Sequence, residues 1–502
     1  MPGPVMLDGH SLSIEDVVAV ARHGAAVAVA PESVAAVAAS RATVEAAIAR
    51  GDTIYGVTTG FGKLAHVRVP PDQARQLQLN LVRSHASGVG DPLPVEAVRA
   101  MMLLRANVLL RGTSGVRPVL PELIVTMLNR RVHPRVPAQG SVGASGDLAP
   151  LAHLALALIG EGEDGAALRA AGLRPITLEA KEGLAFVNGT QAQTGLGALL
   201  VRDAWTLWRT AHAAAAMSLE AVRGTPTPFD SRIQDARPYP WQQRSAALLR
   251  ALLADSEIRE SHRANDPRVQ DAYSLRCTPQ VLGAVGEGLA FAERLVATEL
   301  NAATDNPLVF DGDVVSGGNF HGQPIALALD VVGIVLTTLA GLAERRLERI
   351  VNPDLSSGLP AFLARQPGLE SGFMSAQIAA AALVADCRVL ATPASVQSVP
   401  TEANQEDVVP MGMSAAWKAE RILGNATRVV AIELLAAAQG LEFLKPLAPG
   451  TGVAQSYAAL RLEVPPLTGD RSLTADIERV AAGVRAGSYD PGERDAAGVG
   501  PA

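Results

Sequence analysis

Apolar residues along this chain recur mostly at intervals of three and four, a spacing that predicts helices rather than strands. Ser13-Ile14-Glu15-Asp16 puts a serine and two acids where a first helix would begin, and 33–50 carries a second. Gly51, Gly56, Gly60 and Gly62 then interrupt the pattern, so 51–64 reads as a loop. Helical spacing returns over 73–85 and 95–110. The stretch 148–160 is apolar nearly all round, which predicts a buried helix, and 161–180 reads as a surface excursion. The second half holds long periodic runs at 190–222, 283–303, 324–351, 372–390 and 413–444. The run from Pro324 would be roughly 40 Å long at ~1.5 Å per residue. Such a set predicts a bundle. The expected architecture is mainly α: an N-terminal mixed helical and loop domain over 1–190, then a long-helix bundle over 191–502. The tail from Asp490 onward reads as frayed.

Composition sharpens this picture. Apolar residues make up 48% of the 502 positions and aromatics only 4%, which suits packed helices better than sheets. A net charge of −7 argues against a nucleic-acid partner. Cys277 and Cys387 are far apart and form no metal or redox spacing, so a reducing compartment is the default. The opening Met1-Pro2-Gly3-Pro4-Val5-Met6 lacks the charged and apolar regions of a secretory leader. The apolar run 331–343, bounded by Asp330 and Glu344, is too short to span a bilayer. The expectation is a soluble cytoplasmic protein with neither membrane nor nucleic acid as partner. The sequence has no metal-ligand cluster, phosphate loop or dinucleotide fingerprint.

The candidate chemistry centres on the run from Gly140 through Ala144-Ser145-Gly146 to His153, where Gly140, Gly143 and Gly146 recur every third position. Glycine permits backbone shapes barred to other residues. The plainest reading is a glycine turn followed by a helix, with Asp147 as its cap and Pro150 in its first turn. Other unusual stretches each allow a structural reading beside a chemical one. In Tyr55-Gly56-Val57-Thr58-Thr59-Gly60-Phe61-Gly62 the tyrosine either packs or projects its hydroxyl into a cleft. Ser84-His85 and Asn188, in Phe186-Val187-Asn188-Gly189, sit where caps are common. Arg276, in Val269-Gln270-Asp271-Ala272-Tyr273-Ser274-Leu275-Arg276, is either solvated or suited to a bidentate grip on a carboxylate. Asn301 to Pro307 reads as a structural loop, and Phe320, in Gly317 to Gly322, as a core aromatic. Thr401-Glu402-Ala403-Asn404-Gln405-Glu406-Asp407 concentrates three carboxylates in a loop.

Taken together and in this order, the motifs from Tyr55 to Met411 closely resemble those of the aromatic amino-acid ammonia-lyases, the family of histidine, phenylalanine and tyrosine ammonia-lyases. That resemblance implies a reaction of the backbone itself. The Gly146 amide nitrogen would attack the Ala144 carbonyl and Ser145 would lose its hydroxyl, with two waters released. The product is a 4-methylideneimidazole-5-one ring, made without an external cofactor or metal. The resemblance further implies that the methylidene carbon captures the amine of an amino-acid substrate and that Tyr55 takes the β-proton. Asn188 would bond ring and substrate, Tyr273 would assist proton transfer, and Arg276 would hold the carboxylate. Ser84, His85, Gln270, Phe320, Gln405 and Glu406 would line the pocket, with Phe320 beside the ring and Glu406 facing an imidazole nitrogen. Ser84-His85 is the pair typical of histidine enzymes, so histidine is the expected substrate and urocanate the product. The family is homotetrameric, with sites built from loops of several subunits. Glu402, Val408 and Pro410 depart from the histidine pattern. Three alternatives stay open: a phenylalanine or tyrosine ammonia-lyase, an aromatic aminomutase with the same ring, and a non-catalytic helical scaffold.

Overall fold

A computed structural model describes residues 3–490; Met1, Pro2 and the tail expected to fray beyond Asp490 lie outside the described residues. In chain order the elements are β1 Val5–Leu7, α1 Ile14–Ala21, β2 Val27–Val29, α2 Pro31–Ala49, α3 Ala74–His85, β3 Val89–Pro92, α4 Val95–Leu110, α5 Val119–Asn129, β4 Pro137–Gln139, α6 Leu148–Leu158, α7 Gly162–Ala170, α8 Glu182–Val187 and α9 Gln191–Ala221. There follow α10 Ser231–Asp235, α11 Pro240–Leu252, α12 Glu257–Glu260, α13 Tyr273–Arg276, α14 Thr278–Glu299, β5 Leu308–Phe310, β6 Asp313–Val315, α15 Gln323–Val351, α16 Met374–Leu390, α17 Gly412–Glu442, α18 Thr451–Glu463 and α19 Thr474–Ala486. The fold is mainly helical, as the spacing predicts. Its strands form only two-stranded pairs, β1 with β2 parallel and β3–β4 and β5–β6 antiparallel.

The described residues make two compact units. The first holds the chain up to Arg202 together with Ala292–Asp330 and Pro393–Trp417; the second holds Asp203–Phe291, Val331–Thr392 and the chain from Lys418. The chain first crosses between the units after Arg202 and returns to the first unit twice afterwards.

In the first unit, α1 starts where Ser13 and Asp16 predict. The Ser13 hydroxyl accepts from the Asp16 N–H at 3.1 Å, and the Asp16 carboxylate accepts from the Ser13 N–H at 3.0 Å, a reciprocal cap. Helix α4 is buried from Ala97 through Leu110, two arginines included. Arg105, fully buried, donates to the carbonyls of Ala185 and Asn188 and to the Gln191 side chain, so a helix of the core reaches the end of α8. Lys181 and Asp305, both buried, pair at 2.8 Å and fix the start of α8 to the loop at 301–307. The stretch 161–180 is not simply a surface excursion. It contains α7, with Leu168 buried and with Gly165 so close to the turn at Gly160 that a Cβ there would lie 2.1 Å from the Gly160 carbonyl carbon.

The second unit packs Trp205 and Trp208, both buried, with the partly buried Trp241, ring centroids 4.6 to 5.6 Å apart. Its helices are also joined by a buried polar knot. Arg346 of α15 grips Glu433 of α17 through two bonds of 2.5 and 2.9 Å, while Ser218 of α9 donates to the same carboxylate at 2.7 Å. The pairing offsets the desolvation of both charges, while Arg346 Nη1 stays buried without a hydrogen-bond partner among the described residues. The apolar run 331–343 belongs to a longer helix: α15 and α17 are each long and apolar enough to cross a membrane, with 56% and 89% of their most apolar windows buried within the protein.

Candidate active site

The Ala144-Ser145-Gly146 turn lies in the first unit, and its glycines sit where only glycine is comfortable. Gly140, Gly143 and Gly146 have φ of +134°, +76° and +75°. A Cβ at Gly146 would lie 2.1 Å from the Gly189 carbonyl oxygen, because the two backbones pair there. The next residue, Asp147, donates its N–H to the same oxygen at 2.6 Å. Two distant loops dock on the turn: Gly322 N–H donates to Gly143 O at 3.0 Å, and Met411 N–H to Val142 O at 2.8 Å.

Asp147 does not cap α6. Its carboxylate makes no capping bond to that helix and instead accepts from the Ser141 hydroxyl at 2.8 Å and the Gln193 N–H at 2.9 Å. Complete burial pushes its pKa up to about 6, against those hydrogen bonds. The side chain thus ties the turn to the start of α9.

Ser145 is the meeting point. Asn188 donates its side-chain amide to the Ser145 carbonyl at 2.8 Å, and Arg105 holds the Asn188 carbonyl at 3.1 Å. The Asn188 Oδ1 is buried without a hydrogen-bond partner among the described residues. Asn188 is therefore more than a cap. The Ser145 hydroxyl donates to Glu406 Oε1 at 2.6 Å, and Thr401 donates to Glu406 Oε2 at 2.6 Å. A backbone bond from Thr401 N to Glu406 O, 2.8 Å, closes this loop on itself. Between them Glu402, Ala403 and Asn404 have φ of +50°, +51° and +64°.

Tyr55 stands in the same unit. Its hydroxyl oxygen accepts from the Gly62 N–H at 2.8 Å, and its ring meets Phe61 edge to face at 6.5 Å. Burial raises the Tyr55 pKa; the Gly62 N–H opposes the rise, and the Glu402 and Glu406 carboxylates add to it. The Glu402 carboxylate rests on Gly62, where a Cβ would lie 1.8 Å from its Oε1. Burial, and then Glu406, raise the Glu402 pKa as well. Gln78, buried in α3, fixes the tyrosine loop from below: it donates to Gly56 O and accepts from Leu184 N, each at 2.9 Å.

His85 ends α3 with Nδ1 2.9 Å from Leu81 O, which assigns the proton to Nδ1 and leaves Nε2 with its lone pair. Burial lowers its pKa, and the Glu406 carboxylate works against that. Ser84 is exposed beside it and bonds Leu81 O at 3.1 Å. Phe320 is partly buried in the loop docked on Gly143, and Gln405 is exposed next to Glu406.

The structure thus assembles Tyr55, His85, Ala144-Ser145-Gly146, Asn188 and Glu406 within one unit. Gln270, Tyr273 and Arg276 stand in the second unit. There Gln270 is exposed, Tyr273 is 71% exposed, and the Arg276 guanidinium lies 4.4 Å over the Tyr273 ring. Arg276 Nε is buried without a hydrogen-bond partner among the described residues. Sequence reasoning missed Thr401, Gln78 and Arg105 as supports. Arg105 left a legible signal, an arginine inside the otherwise apolar stretch 100–106; Gln78 and Thr401 left none beyond their neighbourhood.

A family model described as aromatic amino acid lyase matches residues 12–462. A Myxococcus xanthus protein named histidine ammonia-lyase is 53% identical over 489 residues, 95% of this chain and 96% of its own length. Among solved structures, histidine ammonia-lyase of Trypanosoma cruzi superposes with a TM-score of 0.90 at 43% identity, covering 97% of this chain and 94% of that one. Tyrosine aminomutase of Streptomyces globisporus superposes with a TM-score of 0.92 at 42% identity, covering 97% of each chain.

Proposed function

We propose that this chain, which belongs to the aromatic amino acid lyase family, removes ammonia from L-histidine without oxidation and releases trans-urocanate. It is a carbon–nitrogen lyase. The reading rests above all on Ser145, whose carbonyl, hydroxyl and following glycine are each held by a separate partner.

The residues fit a 4-methylideneimidazole-5-one ring formed from Ala144, Ser145 and Gly146, with no external cofactor. The Gly146 position admits no side chain, and the buried Asn188 Oδ1 has a free lone pair facing no described donor. The ring supplies an electrophilic carbon that no side chain offers. Asn188 stabilises negative charge on the Ser145 carbonyl oxygen through its amide N–H. Tyr55 takes the substrate's β-proton; as a base it works in its phenolate form. His85 offers an acceptor and Glu406 a carboxylate to the two nitrogens of an imidazole, while Ser84, Phe320 and Gln405 shape the surrounding wall. Gln270, Tyr273 and Arg276 come from another copy in a homotetramer, where Arg276 fixes the substrate carboxylate. The enzyme works in the cytoplasm on a free amino acid, with no nucleic acid or membrane as partner.

The test is a substrate panel followed by the ultraviolet absorbance of the conjugated acid. Histidine should lead in kcat/KM. A phenyl ring leaves His85 and Glu406 unpaired at a cost of ~1–3 kcal/mol per group, tenfold for each ~1.4 kcal/mol. His85→Phe should shift preference toward phenylalanine. One observation favours a second reading: Glu402 and Val408 depart from the histidine pattern, and phenylalanine enzymes often carry glutamate at the first. Phenylalanine or tyrosine leading in the wild type would establish that reading, and a β-amino acid product on chromatography would establish an aminomutase.

A further inference from the structure

We propose that Glu406 acts on its own chain before it acts on a substrate: it is the proton donor for the dehydration of Ser145. This rests on the ring proposed above. The observation is a contact across 261 positions of sequence, in which the Ser145 hydroxyl meets Glu406 Oε1 at 2.6 Å. That distance lies in the range of charge-assisted O–H···O⁻ pairs and sets a carboxylate oxygen directly against the oxygen that must leave. The contact is built. Thr401 holds the other carboxylate oxygen at 2.6 Å, and its N–H holds the Glu406 carbonyl at 2.8 Å. The loop keeps three consecutive non-glycine residues at positive φ to present this carboxylate.

Chemistry requires such a group. Hydroxide is a poor leaving group, so the departing oxygen must gain a proton as its bond to carbon breaks. In the step, the Ser145 Cβ–Oγ bond breaks and its electron pair stays with oxygen. Glu406 takes a proton from solvent water and passes it to that oxygen, which leaves as water. The electron pair of the Ser145 Cα–H bond becomes the Cα=Cβ bond, and its proton passes to solvent water. Glu406 is thereby returned to the acceptor form in which it began. The sum is the loss of one water with no external oxidant or reductant. Asn188 assists, because its amide on the Ser145 carbonyl acidifies the adjacent Cα–H.

The test is intact mass of the denatured chain, followed in time after cell-free synthesis. Wild type should end two waters lighter than its sequence. Glu406→Gln should dehydrate at least ~10²-fold more slowly, the contribution typical of a positioned acid, and should therefore retain a water at times when wild type is complete. Glu406→Asp should recover part of the rate, and Thr401→Val should lag wild type while keeping the carboxyl. Circular dichroism checks that each variant folds; if Glu406→Gln does not, the Thr401→Val time course decides. Glu406→Gln, or in its place Thr401→Val, reaching the two-water loss at the wild-type rate overturns the inference and leaves the ring intact. A wild-type chain that keeps both waters overturns the ring and the inference with it.

Discussion

The turn at 140–147 and the loop at 401–406 meet at Ser145, yet they are made in opposite ways. The turn uses glycine wherever φ is positive, at 140, 143 and 146, and is held by backbone bonds to Gly189, Gly322 and Met411. The loop carries full side chains at positive φ in Glu402, Ala403 and Asn404, and is held by its own Thr401–Glu406 bonds. The difference follows from what each must deliver. The turn presents its backbone, so side chains would only obstruct it. The loop presents carboxylates, so Glu402 keeps its side chain at positive φ and the strain that goes with it.

The strongest way to break this contrast is Gly146→Ala. The added methyl collides with the Gly189 backbone, which cannot yield as a side chain would. Complete loss of activity and of the two-water mass change is expected, while Ala403→Gly on the other side of the contrast should be active. Next in size is Tyr55→Phe, which should leave fold and ring intact and lower kcat by ~10²–10⁴-fold in the ultraviolet assay.

A pH profile sharpens the role of the loop's charge. The base form of Tyr55 exists above its pKa, and burial together with Glu402 and Glu406 raises that pKa. The wild-type kcat/KM should therefore climb with pH on the alkaline side of neutrality. Glu402→Gln removes one of the two negative charges while keeping the shape against Gly62. The climb should move to lower pH, with a gain at neutral pH of up to roughly tenfold, which corresponds to ~1.4 kcal/mol. A profile that does not move would mean that Glu402 does not govern Tyr55. Smallest is the stability change in Ala403→Gly: relief of the left-handed alanine should raise the urea midpoint by an amount worth about 1 kcal/mol or less.

How much of this was legible in the sequence depends on the range of the interaction. Helix α4 at 95–110 and the long helices were legible because burial of one or more faces writes a period into the residues themselves. Helix α7 was hidden because Gly162 and Gly165 look like breakers, and the reason for Gly165 is a packing contact with Gly160. Asp147 was misread since its position just before a helix suits a cap, and only the fold brings Ser141 and Gln193 to it. The members of the cluster were legible through family resemblance. Their joints were not: Thr401 on Glu406, Arg105 on Asn188 and Gln78 under Tyr55 are hydrogen bonds whose geometry no local pattern records. The motif of Tyr273 and Arg276 was equally legible, and it belongs to the second unit.

The bond between Ser145 and Glu406 also sets an order of events in the life of each molecule. A newly folded chain already satisfies its own pocket carboxylate with its own hydroxyl, so an incoming imidazole must compete with an intramolecular partner held at high effective concentration. On the maturation proposed above, loss of that hydroxyl would end the competition at the moment the electrophile appears. Copies that had not matured would then bind substrate less well, and the capacity to bind would arrive together with the capacity to react.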